Sequence, residues 1–166
     1  MRLRTLIELL AALVLTGAAV MAISQMAKAS GIKVENAYAR ASIGVVRTGA
    51  VYLTLKNEAD EPDRLRKAST DVARRAEFHL HTMNEDVMTM DEVKCLTIPA
   101  RAKITFAPGS LHIMLLGLLS PLKEGGEFAL RLTFDHAGEI AVNVPVKTAV
   151  AGFQEPAAHT SLQLCD

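Results

Sequence analysis

The stretch FALRLTFDHAGEIAVNVPV, residues 128–146, decides the fold class. Phe128, Leu130, Leu132 and Phe134 occupy every second position, and so do Ile140, Val142, Val144 and Val146. Successive side chains of a strand point to opposite faces, so a period of two marks a strand with one face buried. Ala137-Gly138 separates the two runs, and Pro145 points to an edge position because it cannot donate to a ladder.

The same signature recurs upstream. Val51, Leu53 and Leu55 alternate with Tyr52, Thr54 and Lys56, which predicts a strand with one buried face. Ile32 to Arg40 reads as extended, with Val34 and Tyr38 inward, and Gly44 to Arg47 as a connector. Residues 57–63 (NEADEPD) form a charged loop, Leu65 to Thr70 a strand, and Asp71 to Ala76 either a turn or a short helical piece. Phe78 to Met83 and Val87 to Val93 flank the turn signal Asn84-Glu85-Asp86 as two arms of a hairpin. Ile104 to Phe106 and Leu111 to Leu116 add strands around Pro108-Gly109, and residues 117–126 form a loop. Eight or nine short strands without a long amphipathic helix predict an all-β, immunoglobulin-like antiparallel β-sandwich.

Composition limits what such a domain does. The 166 residues carry 18 basic and 18 acidic side chains, no Trp and two Tyr, so neither charge nor aromatic platforms favour nucleic acid. Arg2 and Arg4 precede a mostly apolar run from Leu9 to Ile23, and Ala27-Lys28-Ala29 supplies a small-x-small cleavage site. Residues 1–29 therefore read as a secretory signal peptide, with an uncleaved membrane anchor as the alternative. Residues 30–148 form the sandwich domain and residues 149–166, which lack periodicity, a C-terminal tail. Either way the domain is expected to work outside the cytoplasm.

Beyond residue 29 four methionines remain, Met83, Met88, Met90 and Met114, all inside one 32-residue window. Methionine used as core filler would be spread along the chain. Histidines share the region, in the pattern His79-x10-Met90-x21-His112-x-Met114, with His81 beside them. On one strand His112 and Met114 project to the same side, roughly 6.6–7 Å apart. A hairpin turn at residues 84–86 makes His79 and Met90 approximate cross-strand neighbours. Two such pairs meeting at a sandwich rim would form a neutral His2Met2 set. Neutral soft donors suit copper(I) and hold zinc or magnesium poorly.

Each residue also has a plain reading. A lone histidine on a strand is more often a surface or hydrogen-bonded group, and a lone methionine among apolar neighbours is more often core. The set of four on shared faces is what argues for metal. His81, Met83 and Met88 could be supporting residues, alternative ligands or ordinary surface. His136, in a turn, and His159, in the tail, read as solvated.

The sequence resembles the PCu(A)C family of periplasmic copper chaperones. Its motif, His-x10-Met-x21-His-x-Met, is met at every spacing by His79, Met90, His112 and Met114. NAYAR at 36–40, TGAVYLTLKN at 48–57, PGSLHIMLLGL at 108–118 and PLKEGGEFALRLTF at 121–134 are similar to the family as well. The resemblance spans residues 32–147. It implies a cupredoxin-like β-sandwich binding one copper(I), and a role in carrying copper toward cytochrome c oxidase beside Sco-type proteins. Tyr38 stands where the family often has Trp, and Asp86 where it often has Gly. The tail lacks the His/Met-rich extension of some members.

Cys95 and Cys165 lie outside the motif. In an oxidising compartment they could form a bridge pinning the tail to the sandwich. Free thiols, an intermolecular bridge, or Cys165 as an auxiliary copper ligand are the alternatives. An electron-transfer cupredoxin would need a thiolate with two histidines, and neither cysteine is suitably followed by a histidine. A sandwich serving only protein interaction, or copper tolerance without delivery, is the remaining alternative. No phosphate loop, nucleophile elbow or HExxH helix points to an enzyme.

Overall fold

The apolar alternation at residues 128–146 folds into two strands that pair along their whole length, Leu132 opposite Ile140 and Leu130 opposite Val142. The structure, a computed structural model, describes residues 31–84, 87–150 and 163–165. The signal-peptide reading of residues 1–29 and His159 lie outside the described residues. All regular elements among these are strands: β1 Ile32–Arg40, β2 Thr48–Asn57, β3 Asp63–Thr70, β4 Ala73–Asn84, β5 Val87–Val93, β6 Leu96–Ile98, β7 Lys103–Phe106, β8 Leu111–Leu118, β9 Glu127–Phe134, β10 Glu139–Lys147 and β11 Gln163–Leu164.

The strand order is β11-β6-β3-β9-β10-β1-β2-β8-β4-β5, with β7 also on β2. Ala68 on β3 meets Ala76 on β4, so the run from β3 round to β4 closes on itself as seven strands. Closure removes exposed edges from that ring. Inside it lie Leu53, Leu55, Leu65, Leu111, Ile113, Leu115, Leu130, Leu132 and Val144, each at most 1% exposed. Phe78 and Phe106 pack edge to face within the same core, their ring centroids 6.4 Å apart.

Several expectations change. The pairing is antiparallel except between β1 and β10, which run parallel at Ala39–Val146 and Arg40–Lys147. Pro145 therefore lies on an interior strand, but β10 gains its β1 neighbour only from Val146 onward, so a missing N–H at Pro145 costs nothing on that side. Tyr38 does not point into the core. Register shifts between Glu35 and Tyr38, where Asn36 takes a positive φ of 53°, and the bulge moves the inward parity from Val34 to Ala39. Tyr52 and Thr54 are buried along with Val51, Leu53 and Leu55, so the central strand β2 is covered on both faces. Asp71 and Val72 form a plain turn, and β4 begins at once at Ala73, so no helical piece exists there.

The loop after β2 is braced from both ends. Asn57 Nδ2 donates to the carbonyls of Glu61 and Ile98, at 2.8 and 3.1 Å, and its Oδ1 accepts from Ala59 N. The buried Asp63 carboxylate accepts from the backbone N–H groups of Arg64, His136 and Ala137, tying the β9–β10 turn to β3. At the other end of the chain, Cys95 and Cys165 form a disulfide with Cα atoms 5.4 Å apart, and Gln163–Leu164 pair with β6. Of the segment read as a tail, residues 163–165 are thus docked on the sandwich by a strand and a covalent bond.

Candidate metal centre

Strand parity places the chemistry. On β8, Leu111, Ile113 and Leu115 are fully buried in the core, so His112 and Met114 leave from the opposite face. On β4, Phe78 is in the core, and Glu77, His79 and His81 project to the same outer side as His112. The candidate residues lie on the outward face of β4, β5 and β8, and β5 ends the strand order.

Register then decides which residues meet. His79 stands directly opposite His112, and Glu77 opposite Met114. The imidazole centroids of His79 and His112 are 5.9 Å apart. On the hairpin, Met90 is paired with His81, and His79 is paired with Glu92. Met90 is thus a diagonal neighbour of His79, a separation of about 7–8 Å between Cα atoms that a long thioether side chain can bridge. All four motif residues share one face. His112 is 4% exposed and Met114 partly buried, whereas Met90 is 46% exposed, so the face is closed on the β8 side and open on the β5 side.

Hydrogen bonds set which nitrogens are available. A carbonyl oxygen only accepts, so the 3.0 Å contact of His112 Nδ1 with Ser110 O puts the proton on Nδ1 and leaves the Nε2 lone pair for another partner. His79 Nε2 lies 3.1 Å from Glu77 Oε2 and donates to it, which leaves His79 Nδ1 as the electron-pair donor. That nitrogen is buried and has no hydrogen-bond partner, and neither has Nδ1 of His81. A buried polar atom without a partner costs about 1–3 kcal/mol, so such atoms call for an explanation. A histidine held through its far nitrogen by a carboxylate or carbonyl is the arrangement that orients imidazoles toward metals. Burial holds the His112 pKa below its ordinary 6.5, with the neighbouring His81 and His79 pushing the same way against the Ser110 bond. Burial thus favours the neutral ring, the form a ligand must take.

Sequence reasoning did not find the surroundings. Tyr52 continues the ladder beside His112, ring centroids 6.5 Å apart, and Tyr38 packs on Tyr52 at 5.2 Å. The Arg40 guanidinium lies 5.3 Å from the Tyr52 ring centre, and Lys147 caps Tyr38 at 4.8 Å. The even-numbered parity shared by Tyr52 with His112 across β2 and β8 was the signal available for them. His81 lies nearer to His112 than His79 does, with centroids 5.0 Å apart. Among the described residues no three His, Cys, Asp or Glu side chains are already closed on one point. Both cysteines are used in the disulfide and neither supplies a thiolate here.

Comparison with known proteins places this arrangement. A family model described as "Putative lipoprotein LpqE-like" matches residues 32–146. A protein of Leifsonia xyli subsp. xyli described as "Putative lipoprotein Lxx21020" is 32% identical over 121 residues, which cover 72% of each chain. The copper-bound PCuAC domain from PmoF2 superposes with a TM-score of 0.62 at 25% identity, over 71% of this chain and 93% of that domain. The solution structure of CuI-DR1885 from Deinococcus radiodurans gives a TM-score of 0.55 at 30% identity, over 77% of this chain and 87% of that one. The fold shared with these domains is the expected cupredoxin-like β-sandwich, and the homologous domains are copper-bound. The chain therefore belongs to the LpqE-like family, the family of the PCuAC domains.

Proposed function

We propose that this protein is a copper(I) carrier that works outside the cytoplasm, holding one ion through His79, Met90, His112 and Met114. The observation that carries the reading is the His79–His112 pair across β4 and β8, with a buried unpartnered nitrogen on His79 and Met114 on the same face. Two neutral imidazoles and two thioethers form a soft, uncharged set that favours copper(I) over zinc or calcium. The copper-bound PmoF2 domain and CuI-DR1885 support the choice of metal.

The asymmetry of exposure suits transfer. His112 anchors the ion from a buried position, and Met90 reaches it from an open strand where an acceptor's ligands can displace it. The role is carriage and handover without catalysis, in the periplasm after removal of residues 1–29, with delivery toward cytochrome c oxidase directly or through a Sco-type protein. The lipoprotein names of the matched family and of the Leifsonia relative support a place outside the cytoplasm. An electron-transfer role is disfavoured because the thiolate of a blue-copper site has no source while Cys95 and Cys165 are joined.

An anaerobic competition titration of copper(I) against a chromogenic chelator tests the proposal. One tightly retained equivalent is expected, with His112→Ala and Met114→Ala each weakening retention by roughly 10–100-fold or more. Equal, weak retention by all three proteins would refute it.

A further inference from the structure

His81 is outside the four-residue motif, yet three features set it apart from an ordinary surface histidine. Its ring is the one nearest to His112, with centroids 5.0 Å apart against 5.9 Å for His79. Its Nδ1 is buried with no hydrogen-bond partner. Its cross-strand partner on β5 is Met90 itself, whereas His79 faces Glu92. Taken together, His81 sits between the two motif residues that the hairpin and β8 contribute.

The outer face therefore presents two chemically different donor sets around His112. One is the pair of thioethers with two imidazoles. The other is nitrogen- and oxygen-rich: His79, His81 and His112, with the Glu77 carboxylate against His79. Thioether sulfur suits cuprous copper, whereas copper(II) prefers tetragonal nitrogen and oxygen ligands, and imidazole serves both. Closing three imidazoles on one ion takes side-chain rotation. His112 and His79 are held by Ser110 O and Glu77, but the Nδ1 of His81 has no bond to give up. It is the imidazole freest to swing in.

Resting on the copper(I) reading above, we infer that His81 is a third imidazole ligand recruited when the site holds copper(II), which lets the same face retain copper in either oxidation state.

The test uses the whole chain, expressed and purified without metal, and loaded separately with copper(I) under anaerobic conditions and with copper(II) in air. Electron paramagnetic resonance with resolved nitrogen couplings counts imidazoles on copper(II), and chelator competition measures both affinities. The expected result is three coupled nitrogens in the parent and two in His81→Gln, with copper(II) affinity lowered by ~10-fold or more and copper(I) affinity unchanged. Unchanged copper(I) retention also shows that the variant is folded. His81→Met, which puts a thioether in place of the imidazole, should behave like His81→Gln toward copper(II). Identical copper(II) couplings and affinity in parent and His81→Gln would overturn the inference and leave the copper(I) site standing. So would failure of the parent to hold copper(II) while it retains copper(I), or loss of copper(I) by a His81→Gln protein of unchanged Tm. Failure of the parent to retain copper(I) at all would overturn both readings.

Discussion

The molecule contains two hairpins of similar build and opposite use. In β9–β10 the inward residues alternate without interruption, and the outward polar groups are paired: Arg131 makes a forked contact to Asp71, and Asn143 donates to Glu127. Its turn is held by the buried Asp63 carboxylate. In β4–β5 the inward side is equally ordinary, with Phe78 and Val93 in the core. Its outward side carries imidazoles whose Nδ1 atoms have no partner, facing thioethers that are exposed. One hairpin satisfies its polar groups within the chain. The other leaves electron-pair donors unsatisfied on a face that a soft cation would complete, and real proteins break local rules of this kind at functional sites.

Damage to the first hairpin should therefore change stability alone, and damage to the second should change metal binding alone. The largest effect on stability is expected from Asp63→Ala. It strands three backbone N–H groups at Arg64, His136 and Ala137. The loss should be on the order of 3 kcal/mol by denaturant unfolding, with copper(I) stoichiometry unaltered. A drop in copper affinity at a temperature where Asp63→Ala is fully folded would break the separation.

A smaller, graded effect should come from the buried imidazole. His112 is held below its ordinary pKa of 6.5, first by burial and then by the other histidines. The unfolded chain therefore takes up the proton before the folded one. The contribution of the neutral ring to stability is complete above about 6.5 and is lost as pH falls through the lowered folded value. With a chelator present, the Tm of the parent should fall through this window more steeply than that of His112→Gln. Parallel curves would show that His112 is not held neutral by its surroundings.

The comparison also explains how much could be read from the sequence. Parity along a strand is written in the order of residues, so the inward Leu111, Ile113 and Leu115 and the outward His112 and Met114 were legible. Most of the strands were legible for the same reason, but the short β6 and β11, of three and two residues, carry no alternation long enough to mark them. Register between strands was not. A turn at residues 84–86 left open whether Met90 would face His79 or His81, and one step of register decided for His81. A single bulge at Asn36 reversed the parity of β1 and carried Tyr38 out of the core to the Tyr52 side of the site. Nothing in the spacing of residues 95 and 165 shows that they meet, because the bridge joins positions 70 apart through the short β6–β11 pairing. The closing contact between Ala68 and Ala76 involves two alanines with no sequence signature.

In the proposed site, sulfur from β5 and β8 joins nitrogen from β4 and β8 on one ion. X-ray absorption at the copper edge of the copper(I)-loaded protein tests it most directly. Two sulfur and two nitrogen scatterers per copper are expected, with one sulfur lost in Met90→Leu and one in Met114→Leu. A nitrogen- and oxygen-only shell, or a sulfur count untouched by either substitution, would contradict it.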